Sequence, residues 1–391
     1  MSNWIDRGKK VLMNTYSRFP ITLTEGSGVY AKDEHGTEYL DFLAGIAVNV
    51  LGHAHPAISK AVEVQVNKML HCSNLYHIPQ QTELAEKLIR NSSFDKAFFC
   101  NSGTEAIEAA LKLARKWGGV NKDGAAKIVA MEHSFHGRTI GALSLTGQEK
   151  YQKAFKPLMP EVEFVPFNDI DALADAVDTA TCAVILEPVQ GEGGIFPARQ
   201  KYLQEVRRLC DQSETLLLFD EVQCGLGRTS ALFAHQYYGV EPDAVALAKG
   251  LGGGFPIGAL LAKDRAAVFE PGDHASTFGG NPLASAAALA VLSELIDGQV
   301  VQHSLEVGAY LHEKLSILAT QNPRISEIRG VNLMIGIQLD RDASPYVEKC
   351  HKAGLLVGKA GADVLRLVPP LIIEKKHVDT AIDILTEVLA E

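Results

Sequence analysis

Short apolar runs recur through the middle of the chain, at 127–131, 163–166, 181–186, 215–219, 244–248 and 258–262, and they are continuous rather than alternating. A strand that is apolar on both faces must be covered on both faces. These runs therefore predict a mainly parallel sheet sandwiched by helices, not an antiparallel sheet with one wet side. Helix-like stretches such as 199–211 stand between the runs, which fixes the class as α/β. At 391 residues the chain exceeds what one hydrophobic core usually holds. The sheet-forming part runs over about 51–298. After it, a helix pattern at 306–318, an apolar stretch at 331–339 and a terminal helix at 376–389 predict a smaller α+β domain.

Open α/β sheets bind ligands at the carboxyl ends of their strands. Two runs end there in ionisable groups. Thr215-Leu216-Leu217-Leu218-Phe219 leads into Asp220-Glu221, and Ala244-Val245-Ala246-Leu247-Ala248 leads into Lys249, followed by Gly250-Leu251-Gly252-Gly253-Gly254. A third element, Phe98-Phe99-Cys100-Asn101-Ser102-Gly103-Thr104-Glu105, reads as strand, tight turn and the start of an Ala- and Leu-rich helix that continues to Arg115. Ser102, Gly103 and Thr104 would place N–H groups and hydroxyls at the positive end of that helix, a cup for a phosphate. An ordinary N-cap by Ser102 or Thr104 uses the same positions and is compatible with the cup. A lysine for a Schiff base with a pyridoxal ring, and an aspartate for the pyridinium nitrogen, are the minimal apparatus of pyridoxal phosphate chemistry.

These elements belong to seven blocks in a fixed order. They are Asp41-Phe42-Leu43-Ala44-Gly45-Ile46-Ala47-Val48-Asn49 with Gly52-His53-Ala54-His55-Pro56, Asn101-Ser102-Gly103-Thr104-Glu105-Ala106, and Ser134-Phe135-His136-Gly137-Arg138-Thr139. Then follow Glu187-Pro188-Val189-Gln190-Gly191-Glu192-Gly193-Gly194, Asp220-Glu221-Val222-Gln223, Ala248-Lys249-Gly250-Leu251 and Ser276-Thr277-Phe278-Gly279-Gly280-Asn281-Pro282. Over nearly its whole length the chain resembles the class III (ornithine-type) pyridoxal phosphate aminotransferases, most closely the acetylornithine group. It departs from the usual pattern at Ile107 and Cys224, neither of which carries chemistry.

The resemblance implies a pyridoxal-phosphate-dependent transferase of fold type I, with 51–298 as the large cofactor-binding domain and 1–50 joining 299–391 in the small one. It implies pyridoxal 5′-phosphate as cofactor, with Lys249 as tether and proton-shuttling base and Asp220 on the ring nitrogen. Gln223 would bond the ring hydroxyl, Phe135 would stack on the ring, and Ser102, Gly103, Thr104 and Val222 would complete the cofactor site. Thr277 would reach the phosphate of a neighbouring subunit, so a homodimer is expected. For substrates, Arg138 is expected to grip the carboxylate of the amino donor and Arg366 a carboxylate of the keto acid, since a guanidinium holds a carboxylate through two parallel bonds. Glu192 is expected to cover Arg366 in the first half-reaction, and Ser276 to contact substrate. The implied reaction moves the terminal amino group of N-acetylornithine to 2-oxoglutarate, giving N-acetylglutamate 5-semialdehyde and glutamate, a step of arginine biosynthesis. N-succinyldiaminopimelate, succinylornithine, ornithine and 4-aminobutyrate are the alternative donors. The segment from Ala44 to Asn49 suits an acylated amine better than a second ammonium, which would need a polar partner.

Composition narrows the rest. A net charge of −10 disfavours phosphate-backbone partners, so no nucleic acid is expected. The six cysteines form no Cys-x-x-Cys pair and read as reduced thiols. The first residues lack an apolar signal core, and the apolar helix candidate at 284–292 is far too short to span a membrane. A cytoplasmic protein without a membrane partner is expected. His53-Ala54-His55 has the spacing of a metal site, but it lies in a loop before a helix expected at 57–70, and no metal is assigned. Gly354-Leu355-Leu356-Val357-Gly358-Lys359-Ala360 imitates a nucleotide loop but is one residue short and ends in Ala360, and Gly252-Gly253-Gly254 lacks the dinucleotide pattern. A mutase or decarboxylase on the same scaffold is disfavoured by the arginine pair and Glu192. A non-catalytic descendant is disfavoured because Lys249, Asp220 and the cup are all retained.

Overall fold

The computed structural model describes residues 4–390. At its centre lies a seven-stranded sheet in the order Lys96–Cys100, Gly258–Ala262, Ala244–Leu247, Leu216–Asp220, Thr181–Leu186, Lys127–Met131 and Val162–Val165. Every residue of Thr181–Leu186, Leu216–Asp220, Ala244–Leu247 and Gly258–Ala262 is buried, which is why these strands read as unbroken apolar runs. Helices such as Gly103–Asn121 and Gln200–Gln212 cover the sheet. Ala106, Ala109, Ala110, Leu113 and Ala114 form the buried face of the first of these.

The sheet is parallel except for Gly258–Ala262, which is antiparallel to both neighbours. The reason lies in the connection. Only residues 248–257 separate it from Ala244–Leu247, too few for the crossover of a dozen or more that a parallel neighbour needs. Three strand ends also shift by a residue: Asp220 joins its strand, Ala248 leaves the one before Lys249, and Pro166, which has no N–H to give the ladder, falls outside Val162–Val165. The helix expected to reach residue 70 stops at Val66, where Asn67 turns its amide back onto the Glu63 carbonyl at 2.8 Å. Met69 and Leu70 are left half-exposed beyond it.

Two four-stranded sheets flank the centre, and Val189–Gln190 pairs with Phe196–Pro197 in a small two-stranded one. Leu23–Ser27, Tyr30–Asp33 and Glu38–Asp41 form an antiparallel meander whose last strand pairs in parallel with Leu355–Leu356, opposing Leu40 to Leu355. Ile325–Val331, Met334–Leu339, Val364–Leu367 and Gly358–Lys359 form the other, with Arg366 opposite Gly336 and Gly358. The stretch expected as one apolar element at 331–339 is thus the second arm of a hairpin that turns at Asn332, whose φ is +50°. Val300–Gln321 packs against its first arm, and Lys375–Ala390 packs on that helix. Among the described residues no single helix is long and apolar enough to cross a membrane.

The two histidines with metal-like spacing have structural work. His53 Nε2 lies 2.8 Å from Asp41 Oδ2, and His55 caps the helix Pro56–Val66 by accepting the Ala57 N–H. All six cysteines are free, and only Cys72 is not fully buried.

Candidate active site

A cavity of about 440 Å³ opens where the central strands end, with Ser102, Gly103, Thr104, Phe135, Arg138, Asp220, Val222, Gln223 and Lys249 in its wall. Asp220 terminates the buried strand Leu216–Asp220 and points one carboxylate oxygen at the Val222 N–H, 2.9 Å away. Its other oxygen lies 2.7 Å from His136 Nδ1. Burial opposes a charge on that imidazole, yet the hydrogen bond and charge of Asp220, with the charge of Glu187, carry its pKa above the ordinary value. Glu187 lies at the cavity wall and accepts the N–H groups of Phe135 at 3.0 Å and Gly191 at 3.2 Å. Burial pushes its carboxyl up to about 7; His136 pulls against that shift and Asp220 adds to it.

The cup is built on a Ser-x-x-Glu helix start in which the glutamate reaches one residue beyond the reciprocal bond of a capping box. Ser102 caps the helix Gly103–Asn121 by accepting the Glu105 N–H, and the Glu105 carboxylate returns to the Ser102 hydroxyl and the Asn101 N–H, both at 2.9 Å. The Ser102 hydroxyl is therefore spent on the cap. The Thr104 hydroxyl faces Thr139 at 3.0 Å and the Arg138 N–H at 3.3 Å. What the turn leaves without a partner among the described residues is the run of backbone N–H groups of Ser102, Gly103 and Thr104, the last two in the first turn of the helix. Glycine is required at 103 because a Cβ there would meet Val222 Cγ1 at 2.7 Å.

Lys249 follows the strand Ala244–Leu247 with φ +43°, a left-handed conformation that costs a lysine about 1–2 kcal/mol and marks functional sites. No described residue accepts a hydrogen bond from its amine. Burial holds that amine below its ordinary pKa against the attraction of Glu192 and Asp220, which enlarges the neutral, nucleophilic fraction.

Arg366, 4% exposed on the strand Val364–Leu367, is ion-paired through Nη1 with Glu192. Gln223 Nε2 donates to the same carboxylate at 3.2 Å. Burial disfavours the Glu192 charge, but Arg366, Lys249 and Gln223 together hold its pKa below the usual carboxylate value. Arg138 is exposed and carries its guanidinium 5.3 Å from the Phe135 ring centroid. Ser276 and Thr277 stand outside the cavity wall of their own chain; Ser276 Oγ meets Asn101 Nδ2 at 3.1 Å, and Thr277 is exposed. His136 and Glu187 are the cavity groups that sequence reading left without a role.

A family model described as aminotransferase class III matches residues 11–389. The chain belongs to the class III aminotransferases. The acetylornithine aminotransferase of Caldanaerobacter subterraneus is 51% identical over 98% of this chain and 98% of its own length. That of Clostridium acetobutylicum is 51% identical over 97% and 99%. Among solved structures, the ornithine aminotransferase of Toxoplasma gondii matches with a TM-score of 0.96 at 31% identity, covering 100% of this chain and 95% of that one.

The aminotransferase takes an amino donor and a keto acid, and its cofactor is pyridoxal 5′-phosphate. The cavity fits that group in size and chemistry. The free Gly103 and Thr104 N–H groups suit a phosphate. Among the described residues neither the buried Gln223 Oε1 atom nor the Lys249 amine has a hydrogen-bond partner; the first suits a ring hydroxyl and the second the aldehyde, while Asp220 suits the ring nitrogen.

Proposed function

We propose that this aminotransferase moves the terminal amino group of N-acetylornithine to 2-oxoglutarate, giving N-acetylglutamate 5-semialdehyde and glutamate, the transamination of arginine biosynthesis. The observation that carries the reading is the closed Glu192–Arg366 pair beside Lys249. An α-amino acid needs a guanidinium next to its reacting amine, and here that guanidinium is covered. A terminal amine needs none. When Glu192 turns away, Arg366 becomes free for the carboxylate of 2-oxoglutarate. Half-identity over full length to acetylornithine aminotransferases supports the donor, as does Val48 in the cavity wall, which offers nothing to a second ammonium.

When bound, pyridoxal 5′-phosphate supplies the carbonyl that receives the amino group and the ring that takes up the electron pair left on the donor carbon. The chain's residues do the rest. The Gly103 and Thr104 N–H groups would hold the phosphate, Ser102 fixing the turn that presents them, and Val222 would pack under the turn. Asp220, steadied by His136 and the Val222 N–H, would keep the proton on the ring nitrogen. Gln223 would accept from the ring hydroxyl, and Phe135 would cover the ring. Lys249 Nζ, kept partly neutral by burial, would take the proton from the donor carbon that bears the amine. Arg138 would bind the donor's carboxylate, and Ser276 would adjoin the substrate.

Thr277 would complete the phosphate site of a second copy in a homodimer. Around it, Phe278 is 58% and Leu75 88% exposed, and the Asn74 amide ties the two segments together by donating to the Ser276 and Gly279 carbonyls. Such an apolar patch suits burial against an identical chain. The division into 51–298 and 1–50 with 299–391, and a cytoplasmic location, belong to the same reading.

Side-by-side kcat/KM values for N-acetylornithine, succinylornithine, N-succinyldiaminopimelate, ornithine and 4-aminobutyrate test the donor. N-acetylornithine should lead. A larger value for any of the others would overturn the choice, and failure of Glu192→Ala to improve glutamate as an α-amino donor would overturn the role of the pair.

A further inference from the structure

Arg138 has no carboxylate partner and no guanidinium hydrogen bond among the described residues. Its neighbours are two aromatic faces. The guanidinium carbon lies 4.1 Å from the centroid of Tyr151 and 5.3 Å from that of Phe135, and the two rings meet edge to face at 5.8 Å and 80°. We infer that Tyr151 is the positioning residue for Arg138: its ring, with that of Phe135, holds the guanidinium at the cavity wall while leaving its N–H groups free for the donor's carboxylate. This inference rests on the proposed role of Arg138.

The chain is built to hold that ring still. Tyr151 sits in the short helix Glu149–Gln152, where one turn would wander without tertiary support. A glutamine on each side supplies the support. Gln148 donates to the carbonyls of His133 at 3.2 Å and Ser134 at 3.1 Å, immediately before Phe135. Gln152, itself buried, donates to the carbonyls of Leu143 at 3.1 Å and Thr146 at 2.9 Å. The helix is thereby pinned to both ends of the segment 133–146, within which Phe135 and Arg138 lie. The Tyr151 hydroxyl has no partner among the described residues, so the ring face is the working part. Lys150 Nζ also lies 4.7 Å from this ring, but the guanidinium is closer.

An exposed arginine otherwise samples many rotamers, and each must be given up when a carboxylate binds. Stacking on two rings removes much of that loss in advance. The role is specific to a carboxylate, so it separates from general support of the fold. The test uses holoenzyme and two donors: N-acetylornithine, and N-acetyl-1,4-diaminobutane, which is the same molecule without its carboxylate.

In single-turnover donor half-reactions, Tyr151→Leu should raise the apparent Kd of N-acetylornithine about three- to tenfold. It should leave the Kd of N-acetyl-1,4-diaminobutane and the limiting rate with either donor unchanged. Tyr151→Phe keeps the ring and should restore the N-acetylornithine value. Arg138→Ala serves as the reference and should lose the discrimination between the two donors altogether. If Arg138→Ala discriminates as expected while Tyr151→Leu changes both donors equally, or neither, the inference is wrong and the role of Arg138 stands. If Arg138→Ala itself affects both donors alike, the role of Arg138 falls and the inference with it.

Discussion

Glu187 occupies a position where a carboxylate gains little from ionising. It is buried, and beside it Asp220 already supplies negative charge, so its carboxyl titrates at about 7 instead of near 4.5. Between those values the folded chain holds a proton that the unfolded chain has released. The stability this group contributes is therefore complete below about 4.5 and is lost as pH rises through about 7. His136, raised above its ordinary value, works in the same direction. Glu187→Gln should flatten the fall in urea midpoint between about pH 5 and pH 7; a fall as steep as in the unaltered protein would show that Glu187 is already ionised at the low end. Neither residue could be given this role from the sequence. Asp220 and Lys249 were legible because each ends an apolar run, whereas His136 meets Asp220 across 84 positions of chain and Glu187 acquires its character only from burial.

The strand–turn–helix from Lys96–Cys100 into Gly103–Asn121 was legible as an element, because apolar run, Ser-Gly-Thr turn and Ala-rich helix announce themselves in order. The division of labour within it was not. Sequence assigned hydroxyls and N–H groups alike to the phosphate, but Glu105 claims the Ser102 hydroxyl and the 138–139 loop approaches that of Thr104. The turn therefore depends on close backbone approach more than on side chains. Gly103→Ala, whose methyl would strike Val222 and through it disturb the N–H donated to Asp220, should weaken cofactor affinity by about tenfold, or ~1.4 kcal/mol, with far-UV circular dichroism unchanged. Titration of the apoprotein followed by visible absorbance measures this, and an unaltered affinity would refute the close-approach argument. Strand direction was equally hidden: Gly258–Ala262 is as apolar as its neighbours, and only the shortness of its connection makes it antiparallel.

At the scale of the molecule, the proposed site is shared between copies. Lys249 and Thr277 should then serve the same bound cofactor only when they come from different chains. Co-expressing Lys249→Ala with Thr277→Ala tests this, since each variant alone spoils every site. Mixed dimers would carry one site with both native residues, restoring roughly a quarter of the unaltered activity at limiting cofactor. No restoration would mean that Thr277 serves its own chain, and full activity of Thr277→Ala by itself would mean that it serves no site. The layered α/β plan was legible because burial on both faces leaves its mark on every central strand. The hairpin of Ile325–Val331 and Met334–Leu339 was not, because its turn at Asn332 is flanked by apolar residues on both sides. All of the proposed chemistry converges on one amine, left without a hydrogen-bond partner among the described residues and lowered in pKa at the cavity wall. Borohydride reduction of the holoprotein, followed by peptide mass spectrometry, reports directly where the cofactor is attached. The expected result is a pyridoxyl phosphate adduct on Lys249; an adduct on another lysine, or none in cofactor-saturated protein, would contradict the account.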